Sequence, residues 1–147
     1  TEGIGLDQIE SDLLTRHGVV ANCSFVSPYR EVRARLRERL DPFVEVHVRC
    51  SVEECARRDP KGMYEQAKQG EIERFTGISA PYEEPDSPEL VLDTEEHDLE
   101  TCLSKLLHRL EELGHLPAGS AEKGLDVPYS DEEQEEIEDR LKSLGYL

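Results

Sequence analysis

The chain has 147 residues, of which 36% are hydrophobic and 35% are charged, and it contains no Trp. Its formal net charge of −17 disfavours nucleic acid and anionic membrane surfaces as partners, because both are bound mainly through Lys and Arg. This length and polarity suit one domain with one modest core. The sequence shows no signal peptide, transit peptide or membrane-spanning apolar run, so the expected location is the cytoplasm.

The first half of the chain alternates between helical and extended patterns. Hydrophobic spacing predicts a helix over residues 4–14 that ends near Gly18. The continuous apolar run over 19–26 predicts a strand buried on both faces, as in a parallel sheet. A helix is predicted over 29–40, and β-branched alternation over 43–50 predicts a second strand.

The second half contains a different kind of segment before the pattern resumes. A short helix is predicted from a capping serine at Ser51, and the Gly- and Pro-rich stretch over 59–88 suggests a lid or binding loop. A third strand is predicted over 89–93, followed by an amphipathic helix from 99 to 110. Strands that alternate with helices indicate an α/β fold with a parallel sheet and flanking helices.

The C-terminal end reads as an appendage. A linker is expected over 117–129, and an acidic helix over 130–147 begins with a capping box at Ser130 and Glu133. This helix is either a docking tail or a solvated terminal helix. The expected organisation is a domain over 1–116, the linker and the appended helix.

The cysteines and histidines indicate packing rather than metal binding. Cys23 and Cys50 lie in apolar runs and are expected to be buried. The four cysteines form no C-x-x-C pair, and no His or Cys has the spacing of zinc ligands. No protein-bound metal is therefore expected.

Three segments together carry a family resemblance. FVSPYR at 25–30, RRDPKGMYEQAKQGEIERFTGI at 57–78 and PYEEP at 81–85 resemble, in order, the motifs of adenylylsulfate kinases. The resemblance covers roughly 17–116, the C-terminal half of such a kinase. The matching positions of the long central motif are Arg58, Asp59, Lys61, Gly62, Tyr64, Ala67, Gly70, Ile72, Phe75, Thr76, Gly77 and Ile78.

The resemblance implies a partial P-loop-kinase-like fold with a lid. It also implies transfer of the γ-phosphoryl group of Mg-ATP to the 3′-hydroxyl of adenylylsulfate, a reaction that depends on positioning and charge neutralisation. Catalytic roles fall on Ser27 and Lys61. The residues implied to bind adenylylsulfate are Phe75, Thr76, Gly77 and Ile78. The residues implied to bind the nucleotide are Arg58, Asp59 and Gly62.

The sequence departs from the family in its phosphate-binding machinery. It contains no G-x-x-x-x-G-K-[ST] loop, which holds the ATP phosphates in such kinases, and no D-G-D-N or N-x-R-R segment. Because loss of one electrostatic donor commonly costs about a hundredfold in rate, we expect little or no activity from this chain alone.

Each motif residue also has a plain structural interpretation. Ser27 and the proline after it could simply end a strand, Lys61 could lie in an ordinary turn, and Phe75 could be a packing anchor. The arginines of the predicted 29–40 helix could share a solvated face.

Three interpretations of the whole chain remain open. It is a part of an adenylylsulfate kinase whose N-terminal half lies elsewhere, a non-catalytic nucleotide- or partner-binding module, or an unrelated small α/β domain. The start at Thr1 and the small number of strands favour the first. The implied partners are ATP, adenylylsulfate, and either a second copy or the missing kinase half. The upstream genomic sequence separates the first interpretation from the second.

Overall fold

The element order is that of an α/β protein. The computed structural model describes residues 17, 20–122 and 130–143. The elements in these ranges are α1 (Arg30–Arg37), β1 (Val46–Arg49), α2 (Val52–Arg58), α3 (Met63–Lys68), β2 (Leu90–Asp93), α4 (Leu99–Glu112) and α5 (Asp131–Ser143). The predicted helix over 4–14 and the predicted end at Gly18 lie outside the described residues.

The two strands form a parallel pair, as the sequence predicts. Val46 lies opposite Leu90, and the register continues to Arg49 opposite Asp93. The Arg49 guanidinium donates to Asp93 Oδ2 at 2.7 Å, and this ion pair holds the pKa of the Asp93 carboxyl below its usual range. Because the strands are parallel, both end at the same edge of the sheet. The connection from β1 to β2 contains α2 and then the lid, which includes α3.

The prediction of a strand over 19–26 is wrong for the described residues 20–26. These residues have no regular secondary structure, and Val20, Phe25 and Val26 are 83%, 57% and 65% exposed. In the described part of the chain, β1 pairs with β2 alone, so no neighbouring strand accepts the hydrogen bonds of this segment. The burial predicted for Cys23 is wrong for the same reason, since its side chain is exposed.

The core is small and includes residues of α3, β2 and α4. Among the described residues, the buried hydrophobic side chains are Ala67, Leu92 and Cys102. Helix α4 packs against β2, and the Asp98 carboxylate caps its N-terminus by accepting from Thr101 N at 2.9 Å. A core of this size leaves much of the stability to hydrogen bonds and ion pairs between segments.

The acidic C-terminal helix begins where its capping box predicts. Glu133 N donates to Ser130 Oγ at 3.3 Å, and Ser130 N donates back to Glu133 Oε2 at 2.8 Å. Ile137 and Leu141, one turn apart, are both exposed. Within the described ranges, no helix combines the length and the apolar character needed to cross a bilayer.

Candidate functional site

Ser27 occupies an unusual backbone conformation at the start of the first motif. Its φ is 38°, in the left-handed region that side chains other than glycine rarely adopt. Pro28 follows it, and a proline further restricts the residue before it. Such a conformation costs about 1–3 kcal/mol and persists only where surrounding contacts fix it.

Those contacts come from the segment 81–85, more than fifty residues further along the chain. Glu83 N donates to Pro28 O at 2.8 Å, and Arg30 N donates to Glu83 Oε2 at 2.8 Å. Arg30 Nε also donates to Glu84 O at 2.6 Å. The first and last of the three sequence motifs therefore lie side by side. One backbone–backbone hydrogen bond and two hydrogen bonds that involve side chains join them.

Arg33, on helix α1, stabilises the same junction. Its guanidinium donates to the carbonyls of Ser27 and Glu83, and its Nε lies 2.8 Å from Glu45 Oε1. Arg33 is only 8% exposed, so the interpretation of this helix as having its arginines on one solvated face is wrong at this position. The signal was available in the spacing, because Arg33 stands three residues before Leu36 on the helix face that turns inward.

Arg37, one turn further, ties α1 to the start of β2. It donates to Glu89 Oε2 at 2.8 Å and to Glu45 Oε2 at 3.1 Å, and its guanidinium carbon lies 5.2 Å from the centre of the Phe43 ring. The hydrogen bonds from Arg37 lower the pKa of the Glu89 carboxyl to about 2. Glu45 accepts from Arg37 while also pairing with Arg33, so the two arginines share one carboxylate.

The lid begins with an aspartate that organises its first turn. Asp59 Oδ1 accepts from Lys61 N at 3.2 Å, and Asp59 Oδ2 accepts from Tyr64 N at 2.8 Å. Gly62 precedes α3 with a φ of 65°, which glycine adopts without strain. Asp59, Lys61 and Gly62 are thereby held in one compact turn before α3.

Arg58 links the end of α2 to the end of β2. Its Nε donates to Glu54 Oε1 at 2.6 Å, and its Nη2 donates to Thr94 O at 2.8 Å. Glu54 also accepts from Arg57, and these two arginines, Arg57 first, lower the pKa of the Glu54 carboxyl to about 2. Ligands of open parallel sheets bind beyond the carboxyl ends of the strands, which is where Arg58 lies.

The residues of the F-T-G-I motif form a tight turn. Phe75 O accepts from Ile78 N at 3.1 Å and from Ala80 N at 3.0 Å. Gly77 N donates to Ala80 O at 2.8 Å, and Gly77 has a φ of 86°. A Cβ at Gly77 would lie 3.1 Å from Val52 Cγ2, so this turn packs against the first residue of α2.

Phe75 itself packs on the lid helix. Its ring meets the Tyr64 ring edge to face, with centres 4.9 Å apart. Burial, and then a hydrogen bond with Cys55, raises the pKa of Tyr64 to about 12. The half-buried Phe75 is thus at least a packing anchor, and Tyr64 connects it to the turn that Asp59 organises.

The structure therefore gathers the motif residues into two groups. Ser27 and its surroundings are bound to segment 81–85, while the turn at Asp59 and the turn at Phe75 are joined through Tyr64. Across the described ranges, no group of three or more His, Cys, Asp and Glu side chains is arranged to hold a metal ion.

Comparison with known proteins accounts for this set of motifs. A family model described as adenylylsulphate kinase matches residues 8–93, more than half of the chain. The chain belongs to the adenylylsulphate kinase family. The resemblance carried by the three motifs is thereby confirmed.

Individual relatives agree with the family match. The adenylyl-sulfate kinase of a Picosynechococcus species is 42% identical over 127 residues, covering 79% of this chain and 72% of that protein. The probable adenylyl-sulfate kinase of Aeropyrum pernix is 51% identical over 98 residues, covering 64% of this chain and 54% of that protein. The matches thus span between about half and three quarters of these relatives.

A solved structure supports the fold. The crystal structure of APE1195 is 45% identical, with a TM-score of 0.64, and the match covers 72% of this chain and 62% of that chain. The kinase-like α/β fold inferred from the sequence is confirmed at this level.

Proposed function

We propose that this chain is an adenylylsulfate kinase-like protein of sulfate activation. The family reaction transfers the γ-phosphoryl group of Mg-ATP to the 3′-hydroxyl of adenylylsulfate. The observation that carries the proposal is the junction of two family motifs: Glu83 N donates to Pro28 O at 2.8 Å, and Arg30 N donates to the Glu83 carboxylate. Ser27 is fixed at this junction and is proposed to act at the acceptor site.

The turn at Phe75 is proposed to hold adenylylsulfate. An aromatic ring suits the adenine base, because stacking of a base on an aromatic side chain is worth about 1–3 kcal/mol. The contact with Tyr64 supports this role by fixing the position of the Phe75 ring. Three neighbours are proposed to complete the pocket wall: Thr76, Gly77 and Ile78.

The turn at the start of the lid is proposed to meet ATP. Lys61 would bring positive charge toward phosphate or sulfate oxygens, which phosphoryl transfer requires as negative charge develops. Arg58 would lie against the ATP base, with Asp59 and Gly62 shaping the turn. The hydrogen bonds of Asp59 to the Lys61 and Tyr64 amides support a turn of fixed shape.

We further propose that this chain alone turns over slowly or not at all, since its sequence contains no G-x-x-x-x-G-K-[ST] loop. The test is formation of 3′-phosphoadenylylsulfate from Mg-ATP and adenylylsulfate by the purified 147-residue chain, beside Lys61→Ala and Phe75→Ala. If the wild-type chain turns over faster than both variants, the proposed inactivity is overturned and this chain is an enzyme. Adenylylsulfate bound without turnover, and more weakly by Phe75→Ala, supports the proposal as stated.

A second candidate is a non-catalytic module that binds a nucleotide or a partner kinase subunit. The intact lid turns, together with the missing phosphate loop, favour it. A second copy of the chain is the other proposed partner, because an unpaired strand edge promotes association. Sedimentation of the chain with and without adenylylsulfate separates a dimer from a monomer. The proposed location is the cytoplasm, which supplies ATP.

A further inference from the structure

Arg33 makes contacts that packing alone does not require. Its guanidinium donates to the carbonyls of Ser27 and Glu83, and its Nε faces the Glu45 carboxylate at 2.8 Å. The two side chains of this ion pair are only 10% and 14% exposed. Each carbonyl belongs to a different sequence motif, so one side chain joins the two motifs.

A charge in this position is costly, which makes its presence informative. Desolvating an ion pair offsets much of its attraction, and well-packed apolar residues are often as stabilising. Glu45 Oε1 is buried and is attracted to Arg33 as an ion pair without an aligned hydrogen bond. An apolar side chain cannot bind two carbonyl oxygens, whereas the planar guanidinium group donates to both at once.

Of the two carbonyls, that of Ser27 gives the stronger indication of a functional role for Arg33. Ser27 has a φ of 38° and precedes a proline, so its conformation needs external support. Strained residues of this kind cluster at functional sites. Arg33 and the hydrogen bond from Glu83 N to Pro28 O supply that support from both sides of the Ser27–Pro28 peptide.

Tyr82 completes the surroundings of Arg33. Its ring centre lies 5.9 Å from the guanidinium carbon, within the range of a cation–π interaction. The same ring lies 6.0 Å from the buried His47 ring on β1. Through Tyr82, Arg33 is therefore connected to the sheet as well as to helix α1.

We infer that Arg33 is a positioning residue that sets the backbone of Ser27 against the 81–85 segment and so shapes the acceptor site. The inference rests on the proposed function, in which Ser27 belongs to the adenylylsulfate site. Arg33 acts through Ser27 and Glu83 and does not itself touch the substrate.

The test compares two substitutions on the same helix. Arg33→Lys keeps the charge but loses the fork, since an ammonium on a flexible stem cannot hold both carbonyls and the carboxylate together. Arg37→Lys is the matched control, because Arg37 shares Glu45 but contacts neither carbonyl. Two quantities are measured on the full chain: hydrogen exchange at the Glu83 amide, and the adenylylsulfate dissociation constant by calorimetry.

The inference predicts that Arg33→Lys raises both the exchange rate and the dissociation constant by about tenfold, the size of one lost charged hydrogen bond. Arg37→Lys is expected to leave both within about twofold, even where it lowers the melting temperature. Equal effects of the two variants, or faster exchange in Arg33→Lys without weaker binding, would overturn the inference and leave Arg33 a stability residue.

Two further outcomes are also decisive. If the wild-type chain binds no adenylylsulfate while exchange still responds to Arg33→Lys alone, the proposed function fails and the positioning of Ser27 by Arg33 stands. If Arg33→Lys does not fold, Glu45→Gln is measured instead. The Glu45→Gln variant removes the carboxylate but keeps the hydrogen bonds that Arg33 donates to both carbonyls. Protection of Glu83 within about threefold of wild type supports the inference, and its loss overturns it.

Discussion

Gly77 tests the packing of the F-T-G-I turn most sharply, because alanine at this position meets two separate obstacles. The backbone has a φ of 86°, and a Cβ would lie 3.1 Å from Val52 Cγ2. The left-handed region costs a side chain about 1–2 kcal/mol. The close contact adds to this, since Val52 is β-branched and stands at the start of a helix, where its rotamers are restricted. We expect Gly77→Ala to lower the free energy of unfolding by about 2 kcal/mol in total.

Gly70 provides the matched control. It has a φ of 80°, yet nothing lies within 4 Å of a Cβ built there. Gly70→Ala therefore isolates the backbone term and is expected to cost about 1 kcal/mol. The difference between the two variants measures the contact with Val52.

A double-mutant cycle with Val52→Ala assigns that contact, with all free energies taken from urea denaturation. Removing the Val52 methyl groups should restore about 0.5–1 kcal/mol in the Gly77→Ala background and none in the Gly70→Ala background. Equal costs for the two glycine variants, with no coupling to Val52, would refute the packing of this turn against α2.

Three further expectations concern a helix cap, an ion pair and the turn at the start of the lid. Asp98→Ala removes the N-cap of α4 and should cost about 1 kcal/mol in thermal unfolding, so an unchanged melting temperature would contradict the cap. Glu89 has a folded pKa of about 2 against 4.5 for the free group, so its ion pair with Arg37 stabilises the fold above about pH 4.5 and this stability is lost as the pH falls toward 2. Because Arg37 is partly exposed, solvent screening should limit the contribution of this ion pair to the free energy of unfolding to about 1 kcal/mol. Glu89→Gln should remove this part of the acid sensitivity over the titration range of Glu89, roughly pH 5 to pH 2. Asp59→Ala should speed hydrogen exchange at the Tyr64 amide by about tenfold, and unchanged exchange there would count against the lid turn.

Elements with local signals were predictable from the sequence. The helix after Ser51 begins there because the serine hydroxyl accepts from Glu54 N at 3.2 Å. The acidic helix likewise begins at the Ser130 capping box. The parallel pairing followed from the order of strands and helices, and the family followed from three motifs with many matching positions.

Features that depend on distant partners were not predictable in the same way. The apolar run over 19–26 has the composition of a buried strand, but composition does not reveal whether a neighbouring strand is there to pair with residues 20–26. A solvated face was one interpretation of the helix arginines, and helical spacing alone shows only that Arg33 is able to face inward. The carbonyls of Ser27 and Glu83 that bind its guanidinium are not visible in that spacing. The contact with Glu83 spans fifty residues of sequence, so it appears only when the chain is folded.

The most direct measurement is a calorimetric titration of adenylylsulfate into the 147-residue chain, repeated with Phe75→Ala. The account predicts saturable binding by the wild-type chain and a dissociation constant about tenfold higher for Phe75→Ala, because the adenine would lose its stacking partner. Binding that is absent, or that is equally strong in Phe75→Ala, would contradict the assignment of this turn as the adenylylsulfate site.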